Sequence, residues 1–422
     1  MASRSELPSL LLLASPPAPS SRASLNAAYR PSISAAIARV RNPDSPSKLV
    51  IAVASPFLDG YAPRTKALQS WSDVQSLQAG LYSLVAVLCA EHGVASDVGG
   101  GPGSVDVRIV LIDHDRAKRP DPSFTPSIEP NATVIVDLAT FACAYHPWNH
   151  IIHSNSEAGY LLQSTFLKYA EGKQTILQSQ LSVVEGGVSL TVPHTPSDIA
   201  LQTPRQTKSY NVVCLGGTFD HLHLGHKLLL AAAALLLKVP LEVDAGQGGP
   251  TRCRYIIGVT GDALLQNKKF AEYVQSWDER ALSVIDFLAT ILDLRREGWK
   301  GLDGAAARDR AVSKKEPGRI EAEFRGGAIR VECVEIQDPF GPTITDESVE
   351  ALVVSGETRS GGQAVNDKRA AQGWKQLDVY EVDVLDATDV EGGKEATATE
   401  DFSAKISSTA IRQQRAAAAK LT

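Results

Sequence analysis

The sequence predicts two α/β domains, the second of which is organised around a doubly wound parallel sheet of five strands. Short apolar runs with β-branched residues alternate with segments of helical periodicity along both halves of the chain. A mostly polar stretch with three prolines, residues 193–208, separates the halves and is typical of a linker. We therefore predict one domain over residues 1–204 and a second over residues 205–422.

The amino-terminal half alternates strands and helices without a recognisable catalytic cluster. Strands are predicted at 10–14, 49–54, 105–113 and 133–138, helices at 24–40, 70–92 and 156–171, and a hairpin about Gly186-Gly187 from 175–184 and 188–192. His146, His150 and His153 lie close in sequence, but Pro147 breaks a helix between them and their spacing matches no common helical metal site. We interpret that segment as packed or surface structure and predict no metal bound by protein ligands alone.

The carboxyl-terminal half contains the five strands of the predicted sheet. They are expected at 211–215, 254–260, 328–336, 348–355 and 377–385, with helices from 226, over 278–296 with Asp278 as its cap, over 360–372 and from 406. Residues 300–327 are charged, rich in glycine and poor in large apolar side chains, so we predict a mobile surface insertion there. The remaining pattern indicates a Rossmann-like sheet, whose ligands bind beyond the carboxyl ends of the strands.

The most informative stretch begins at the end of the first of these strands. Gly216 and Gly217 allow the backbone to turn sharply and to approach a ligand closely, because neither carries a Cβ. Thr218-Phe219-Asp220 follows, and His223-Leu224-Gly225-His226 then leads into a strongly helix-forming segment. Imidazole and hydroxyl groups therefore lie at a helix amino terminus, where free N–H groups and the helix dipole favour bound phosphate.

Other polar loops are expected at the same edge of the predicted sheet. The loop with Lys268 follows the second strand, and Gly356-Glu-Thr-Arg359 follows the fourth. The last helix begins with the hydroxyl residues Ser407-Ser-Thr409. The carboxyl ends of parallel strands meet at one edge, so the sequence predicts a single phosphate-binding site there.

These blocks resemble a known enzyme family. Glycines, Thr-Phe-Asp and then His-x-Gly-His are similar to the signature of the HxGH nucleotidyltransferase superfamily, which includes cytidylyltransferase-like domains. Four further blocks resemble eukaryotic, fungal-type monofunctional phosphopantetheine adenylyltransferases and the adenylyltransferase part of CoA synthase: 258–268, Asp338-Pro-Phe-Gly-Pro342, 352–366 and Ile406-Ser-Ser-Thr-Ala-Ile-Arg412. The resemblance covers residues 209–416 and leaves the role of the first half open.

The resemblance implies adenylyl transfer from ATP to 4′-phosphopantetheine in coenzyme A biosynthesis, giving dephospho-CoA and pyrophosphate, with Mg²⁺ accompanying ATP. It implies catalytic roles for His226, Lys268 and Arg359, with Lys269 as an alternative to Lys268. The nucleotide and its phosphates are expected to contact Gly217, Thr218, Phe219, Asp220, His223, Gly356, Ser407, Ser408, Thr409 and Arg412. We expect Asp220 to orient its loop rather than to approach the metal. No GxxxxGK[ST] pattern occurs in the sequence, so a dephospho-CoA kinase step is not expected.

Composition restricts the remaining possibilities. A net charge of −6 argues against a protein that coats nucleic acid, and no apolar run is long enough to predict a membrane span. The five cysteines form no CxxC pair, which indicates reduced thiols in a cytoplasmic protein. Arginines with Glu6 as the sole acid before Asp44 leave a mitochondrial presequence as the alternative. Other enzymes of coenzyme A synthesis are candidate partners, and the oligomeric state is not predicted.

Two alternative functions remain open at this point. The Ile-Ser-Ser-Thr-x-Ile-Arg block also suits nicotinamide mononucleotide adenylyltransferases, and HxGH suits cytidylyltransferases. Outside the enzymes, the chain could be a scaffold that retains an inactive nucleotidyltransferase fold. The presence of Thr218, His223, His226, Lys268 and Arg359 together favours an active enzyme.

Overall fold

The computed structural model describes residues 7–60, 66–118, 123–144, 147–188, 207–241, 252–294, 311–356, 359–385 and 407–419. Contacts divide the chain into two units, with the change from one to the other between Lys208 and Ser209. The segment Asp97–Gly99 belongs with the second unit, and Leu294 belongs with the first. Most of the predicted linker, 193–206, lies outside the described residues.

The first unit is a parallel sheet with helices. Its strands are β1 (Ser9–Leu13), β2 (Ser47–Ser55), β3 (Leu58–Asp59), β4 (Ala67–Leu68), β5 (Val105–Asp113), β6 (Val136–Asp137), β7 (Ile151–Ser154) and β8 (Leu181–Val184). Its helices are α1 (Arg22–Val40), α2 (Trp71–Glu91), α3 (Leu138–Ala144) and α4 (Glu157–Ala170). Six strands form one sheet in the order β6-β5-β2-β1-β7-β8, and every pairing in it is parallel. The short strands β3 and β4 pair separately as an antiparallel ribbon.

The central strands of this sheet are covered on both faces. Leu10 to Leu13 of β1 and Leu49 to Ala54 of β2 are all buried, which explains their continuous rather than alternating apolar pattern. Helix α2 is long and apolar enough to cross a membrane by length and composition alone. However, 72% of that stretch is buried inside the protein, as in a core helix.

Two predictions for the first unit were wrong. The run 133–138 contributes only the two residues of β6 to the sheet, and α3 begins directly after it. All seven residues of α3 are buried, so its sequence shows no helical periodicity. The predicted hairpin about Gly186-Gly187 is also not formed by 181–184, because β8 pairs in parallel with β7, a strand that was not predicted. Residues 189–192 of that hairpin lie outside the described residues.

The second unit contains a larger mixed sheet. Its strands are β9 (Val212–Gly217), β10 (Cys253–Thr260), β11 (Val312–Glu316), β12 (Arg319–Phe324), β13 (Ile329–Ile336), β14 (Ala351–Ser355) and β15 (Asp378–Val382). Its helices are α5 (Leu224–Ala234), α6 (Trp277–Leu292), α7 (Arg359–Ala371) and α8 (Ser408–Ala419). The order is β11-β12-β13-β10-β9-β14-β15, and the last five strands in that order are mutually parallel. Numbered along the chain, these five have the order 3-2-1-4-5, which is that of a doubly wound nucleotide-binding sheet.

The observed sheet has seven strands, two more than the five that were predicted. Strands β11 and β12 form an antiparallel hairpin at the edge of the sheet, within the stretch 300–327 that was predicted to be a mobile insertion. Gly318, with φ +70°, makes its turn. Four of the five residues of β11 are exposed, so the strand carries charges where a buried strand would carry apolar side chains. Residues 300–310 lie outside the described residues.

The cap of helix α6 lies two residues before the predicted one. Ser276, not Asp278, is the cap: its hydroxyl accepts a hydrogen bond from the Glu279 N–H, and the Glu279 carboxylate accepts one from the Ser276 N–H. This reciprocal pair is the capping box of an S-x-x-E sequence. The earlier start places Trp277 and Arg280 on the buried side of the helix.

Candidate active site

The candidate site lies at the carboxyl edge of the second sheet, where β9 and β10 end. Gly217 of β9 pairs in register with Val259 of β10. The hydroxyl of Thr260 donates to the Gly217 carbonyl over 3.2 Å. Strand β14 runs parallel to β9 on its other side and ends at Ser355. The loops that follow these three strands therefore leave the sheet at one edge.

The first of these loops is shaped by a buried aromatic ring. Phe219 is fully buried and has a left-handed backbone with φ +53°. Its ring lies against Gly217, where an added Cβ would be 3.0 Å from the ring. Glycine is therefore needed at this position for steric reasons. Because the Phe219 side chain is buried, only its backbone remains for the predicted contact with nucleotide.

The two histidines of the HxGH motif lie face to face. The rings of His223 and His226 stack with centroids 3.9 Å apart and planes at 22°. His223 is the residue that precedes the first turn of α5, and the Phe219 ring lies 5.2 Å from that of His226. A Cβ on Gly225 would lie 3.2 Å from the His223 ring, so the glycine of the motif leaves room for the stack.

Burial makes both imidazoles weak bases. It lowers the pKa of His226 to about 4, against an opposing effect of the Asp220 carboxylate. Burial also places the pKa of His223 well below its usual range, and positive charge on His226 or on the buried Lys227 would lower it further. Near neutral pH both rings are therefore uncharged. The Nδ1 atoms of both rings are buried and have no hydrogen-bond partner among the described residues.

Asp220 is fully buried and bound to the protein through both carboxylate oxygens. Oδ1 accepts from the Gln275 N–H over 3.0 Å, and Oδ2 accepts from Arg412 Nη1 over 2.5 Å. The backbone carbonyl of Asp220 accepts a hydrogen bond from the Ser408 hydroxyl over 2.8 Å. These contacts join the loop after β9 to the start of α8.

The start of α8 therefore contacts the histidine loop directly. The Ser407 hydroxyl accepts from the Ala410 N–H over 3.3 Å, as a helix cap does. Arg412 is buried, and besides Asp220 it donates to Thr409 Oγ1 and to the Lys269 carbonyl, each over 3.0 Å. The contacts described for Ser407, Ser408, Thr409 and Arg412 are contacts within the protein. Their proposed contacts with phosphate stay predictions.

The predicted catalytic lysine lies in an exposed loop. Lys268 and Lys269 both have exposed side chains, and the Lys268 N–H bonds the Leu265 carbonyl over 3.0 Å. The bond from Arg412 to the Lys269 carbonyl attaches this loop to α8. The structure thus holds the backbone beside both lysines without selecting one of them for catalysis.

The predicted phosphate-binding arginine lies at the start of α7. Arg359 forms a bidentate ion pair with Glu381 of β15, with Nε 2.5 Å from Oε2 and Nη2 2.7 Å from Oε1. The Arg359 side chain is 75% exposed. Gly356 is exposed at the end of β14, and a Cβ there would lie 3.2 Å from Val384. Among the described residues, Asp220 contacts both Ser408 and Arg412. Arg359 makes no described contact with any of these three residues.

Two further residues of this region, Arg280 and Gln275, were not predicted from the sequence. Arg280 of α6 is fully buried, and its guanidinium donates to the Thr218 carbonyl, the Gln275 carbonyl and the Asp262 carboxylate. Gln275 also accepts from the His221 N–H through its side chain over 2.7 Å. The available signal was an arginine on the otherwise apolar face of an amphipathic helix.

This arrangement is suited to binding phosphate rather than to holding a metal by itself. It combines a helix amino terminus, the partly exposed Thr218, the buried His223 and the half-buried His226, whose imidazoles are both neutral near pH 7. In the part of the chain that the structure describes, no group of three or more His, Cys, Asp or Glu side chains is placed to hold a metal ion. Both oxygens of Asp220 are already bonded to protein donors, which disfavours it as a metal ligand.

Comparisons with known proteins match this chain to a family model and to several individual relatives. Residues 1–190 match a family described as a domain of unknown function (DUF8446). An uncharacterized protein of Schizosaccharomyces pombe is 30% identical over 270 residues, which cover 64% of this chain and 66% of that protein. The phosphopantetheine adenylyltransferase of Saccharomyces cerevisiae is 32% identical over 213 residues, 50% of this chain and 51% of that enzyme. This chain therefore matches between half and two thirds of the length of these two relatives.

A shorter archaeal relative is covered more completely. The phosphopantetheine adenylyltransferase of Methanopyrus kandleri is 30% identical over 170 residues, which cover 40% of this chain and 76% of that enzyme. Identity at this level over three quarters of a relative establishes common descent. The chain therefore belongs to the phosphopantetheine adenylyltransferase family.

Proposed function

We propose that this protein transfers the adenylyl group of ATP to 4′-phosphopantetheine, producing dephospho-CoA and pyrophosphate. The stacked pair of neutral histidines at the start of α5 is the observation that carries the proposal. Similarity to relatives named phosphopantetheine adenylyltransferase supports 4′-phosphopantetheine as the acceptor. In this proposal Mg²⁺ accompanies ATP, as the resemblance to the nucleotidyltransferases implies.

The reaction needs neither a general base nor a covalent intermediate. An oxygen of the acceptor phosphate is already an anion and attacks the α-phosphorus of ATP. The bond from the α-phosphorus to the bridging oxygen breaks, and pyrophosphate leaves with that oxygen and its electron pair. The protein accelerates such a reaction by positioning the two substrates and by stabilising the charge that develops on the transferring group.

His226 is the main donor to the transition state in this proposal. A neutral imidazole donates one N–H, and the half-buried His226 interacts strongly with a developing charge because partial burial limits competition from water. His223 and the Thr218 loop contact the triphosphate from the same side. Lys268 brings a mobile positive charge to the acceptor phosphate. Arg359, now paired with Glu381, supplies a second positive charge for phosphate.

An acceptor comparison tests the proposed function. Pyrophosphate release by the full chain is measured with ATP and 4′-phosphopantetheine, with ATP and nicotinamide mononucleotide, and with CTP and a phosphate-bearing alcohol. We expect release only in the first mixture, together with dephospho-CoA identified by its mass. Release in another mixture, or binding of ATP without release in any, contradicts the assignment.

A further inference from the structure

The loop that carries the phosphate-binding residues is held by one buried arginine. Arg280 Nη1 donates to the Thr218 carbonyl over 2.7 Å, Nε donates to the Gln275 carbonyl over 3.0 Å, and Nη2 donates to Asp262 Oδ1 over 2.5 Å. These three acceptors lie after β9, before α6 and after β10. One guanidinium therefore fixes three chain segments around the carboxyl edge of the sheet.

Gln275 extends this attachment along the same loop. Its backbone N–H donates to Asp220 Oδ1 over 3.0 Å, and its side-chain oxygen accepts from the His221 N–H over 2.7 Å. His221 in turn bonds the Tyr273 carbonyl through Nε2 over 2.8 Å. Arg280 thus holds the Thr218 end of the loop, and Gln275 holds the Asp220 end.

The loop needs such restraint because its backbone is strained. Phe219 has φ +53° and His221 has φ +44°, both in the left-handed region that bulky side chains rarely adopt. Strained residues of this kind persist only where surrounding contacts determine the conformation. Here the contacts from Arg280 of α6 and from Gln275, which precedes α6, hold the loop in this conformation.

We propose that Arg280 and Gln275 are positioning residues of the nucleotide loop, the segment 218–223 between β9 and α5. They contact no substrate and act by fixing the backbone at Thr218, Asp220 and His221, and through it the place of His223 and His226. This inference rests on the proposed adenylyl transfer. It adds that α6, which lies outside the glycine–histidine motif, sets the geometry of that motif.

The second unit contains a matched control for this idea. Arg369 of α7 is also fully buried and also donates to carbonyl groups, including those of Thr343, Lys375 and Glu347. All the carbonyls it bonds lie in 343–349 and 375, away from the nucleotide loop in the sequence. Arg280→Lys and Arg369→Lys therefore each remove a fully buried guanidinium group. The first group bonds the nucleotide loop, and the second does not.

The test measures steady-state kinetics, the affinity for Mg·ATP and hydrogen exchange of residues 217–223 in both variants of the full chain. A lysine places its three N–H donors on a single nitrogen and cannot reproduce the bonds made by the separate Nε, Nη1 and Nη2 atoms of the planar guanidinium. We expect Arg280→Lys to lower kcat by about 10²-fold, as misplacement by about 1 Å can do, and to increase exchange in the loop. Arg369→Lys should lower the melting temperature and leave kcat, ATP affinity and loop exchange at their wild-type values.

A milder variant provides the same test if Arg280→Lys does not fold. Gln275→Ala removes the acceptor of the His221 N–H and keeps both backbone bonds of Gln275. We expect ATP binding about fivefold weaker, the effect of one hydrogen bond. Wild-type kinetics in both Arg280→Lys and Gln275→Ala, or an equal kinetic loss in Arg369→Lys, would overturn the proposal.

The design separates this proposal from the proposed function. If the wild-type chain binds Mg·ATP and does not adenylylate 4′-phosphopantetheine, the acceptor assignment fails, and ATP affinity still decides the role of Arg280 and Gln275. If the wild-type chain does not bind Mg·ATP, both proposals are overturned.

Discussion

At the scale of single residues, burial determines the chemistry of the site. The HxGH motif could be recognised from the sequence because its residues are adjacent. The low pKa of His226 could not, because it follows from burial of the ring in the folded chain, where Phe219 and His223 lie against it. The roles of Arg280 and Gln275 were likewise hidden, since their partners lie up to 62 positions away in the chain.

Buried histidines predict a particular pH dependence of stability. The pKa of His226 is about 4 in the folded protein, below the ordinary value of about 6.5 in an unfolded chain. Between these values the unfolded state binds more protons, so stability is fully present above pH about 6.5 and falls as the pH is lowered towards 4. Each pKa unit of displacement corresponds to about 1.4 kcal/mol.

Urea unfolding midpoints from pH 8 to pH 4 measure this effect. We expect the decline below pH 6.5 to be shallower in His226→Asn than in the wild type, with His223 maintaining part of it. Parallel curves for the two proteins would show that His226 is not a buried neutral base.

Arg359 gives a second prediction at this scale. A guanidinium binds phosphate through two parallel N–H groups, whereas an ammonium acts as a point charge. Arg359→Lys should therefore raise the Michaelis constants of both substrates, by about 3–10-fold. Arg319→Lys is the control, since Arg319 is also partly exposed and paired with acids in the β12 hairpin. Unchanged constants in Arg359→Lys would remove Arg359 from phosphate binding.

At the scale of elements, local sequence signals predicted the long elements and failed for short or fully buried ones. Helix α2 was predicted from a long helix-forming run with Ser70 or Ser72 as its cap, and the structure shows that Ser70 is the cap. Helix α3 is buried on every side, and β11 is charged and exposed, so neither shows the period of its own structure. Both are defined by their neighbours in the fold rather than by their own residues.

The attachment of α8 to the histidine loop predicts a large change in stability. Asp220 is fully buried, and Arg412 is its charged partner. Arg412→Met would leave a buried carboxylate without that partner, which costs about 3–5 kcal/mol. The double variant Arg412→Met/Asp220→Asn should recover much of that loss, because no buried charge remains. Denaturant unfolding compares them, and equal losses in the single and double variants would contradict this account of α8.

At the scale of the whole molecule, every site residue that we identify belongs to the second unit. The alternation of strands and helices allowed two α/β domains to be predicted, and the contacts of the structure place a change of unit between Lys208 and Ser209. That Asp97–Gly99 belongs with the second unit was not predicted from the sequence. Val98 N–H donates to the Leu222 carbonyl over 3.0 Å, and Asp97 pairs with Arg415 over 2.9 Å.

We predict that residues 205–422 alone catalyse adenylyl transfer. Among the contacts of the described residues, the truncation removes the backbone hydrogen bond to Leu222, the two hydrogen bonds that Thr207 makes with Leu68 and Trp71, and an ion pair of the partly exposed Arg415. Such exposed ion pairs contribute about 0–1 kcal/mol. Circular dichroism establishes that the fragment is folded before its turnover is compared with that of the full chain. A folded fragment without activity would place missing substrate contacts in residues 1–204.

The most direct test of the whole account is the turnover of His226→Asn in the full chain with ATP and 4′-phosphopantetheine. His153→Asn is the matched control, because His153 is a buried histidine of the first unit that bonds the Ser154 carbonyl. Loss of a donor to a developing charge lowers kcat by about 10²–10³-fold. We predict a loss of that size in His226→Asn, with a folded protein, and near wild-type turnover in His153→Asn. A folded His226→Asn protein that retains wild-type kcat would contradict the account.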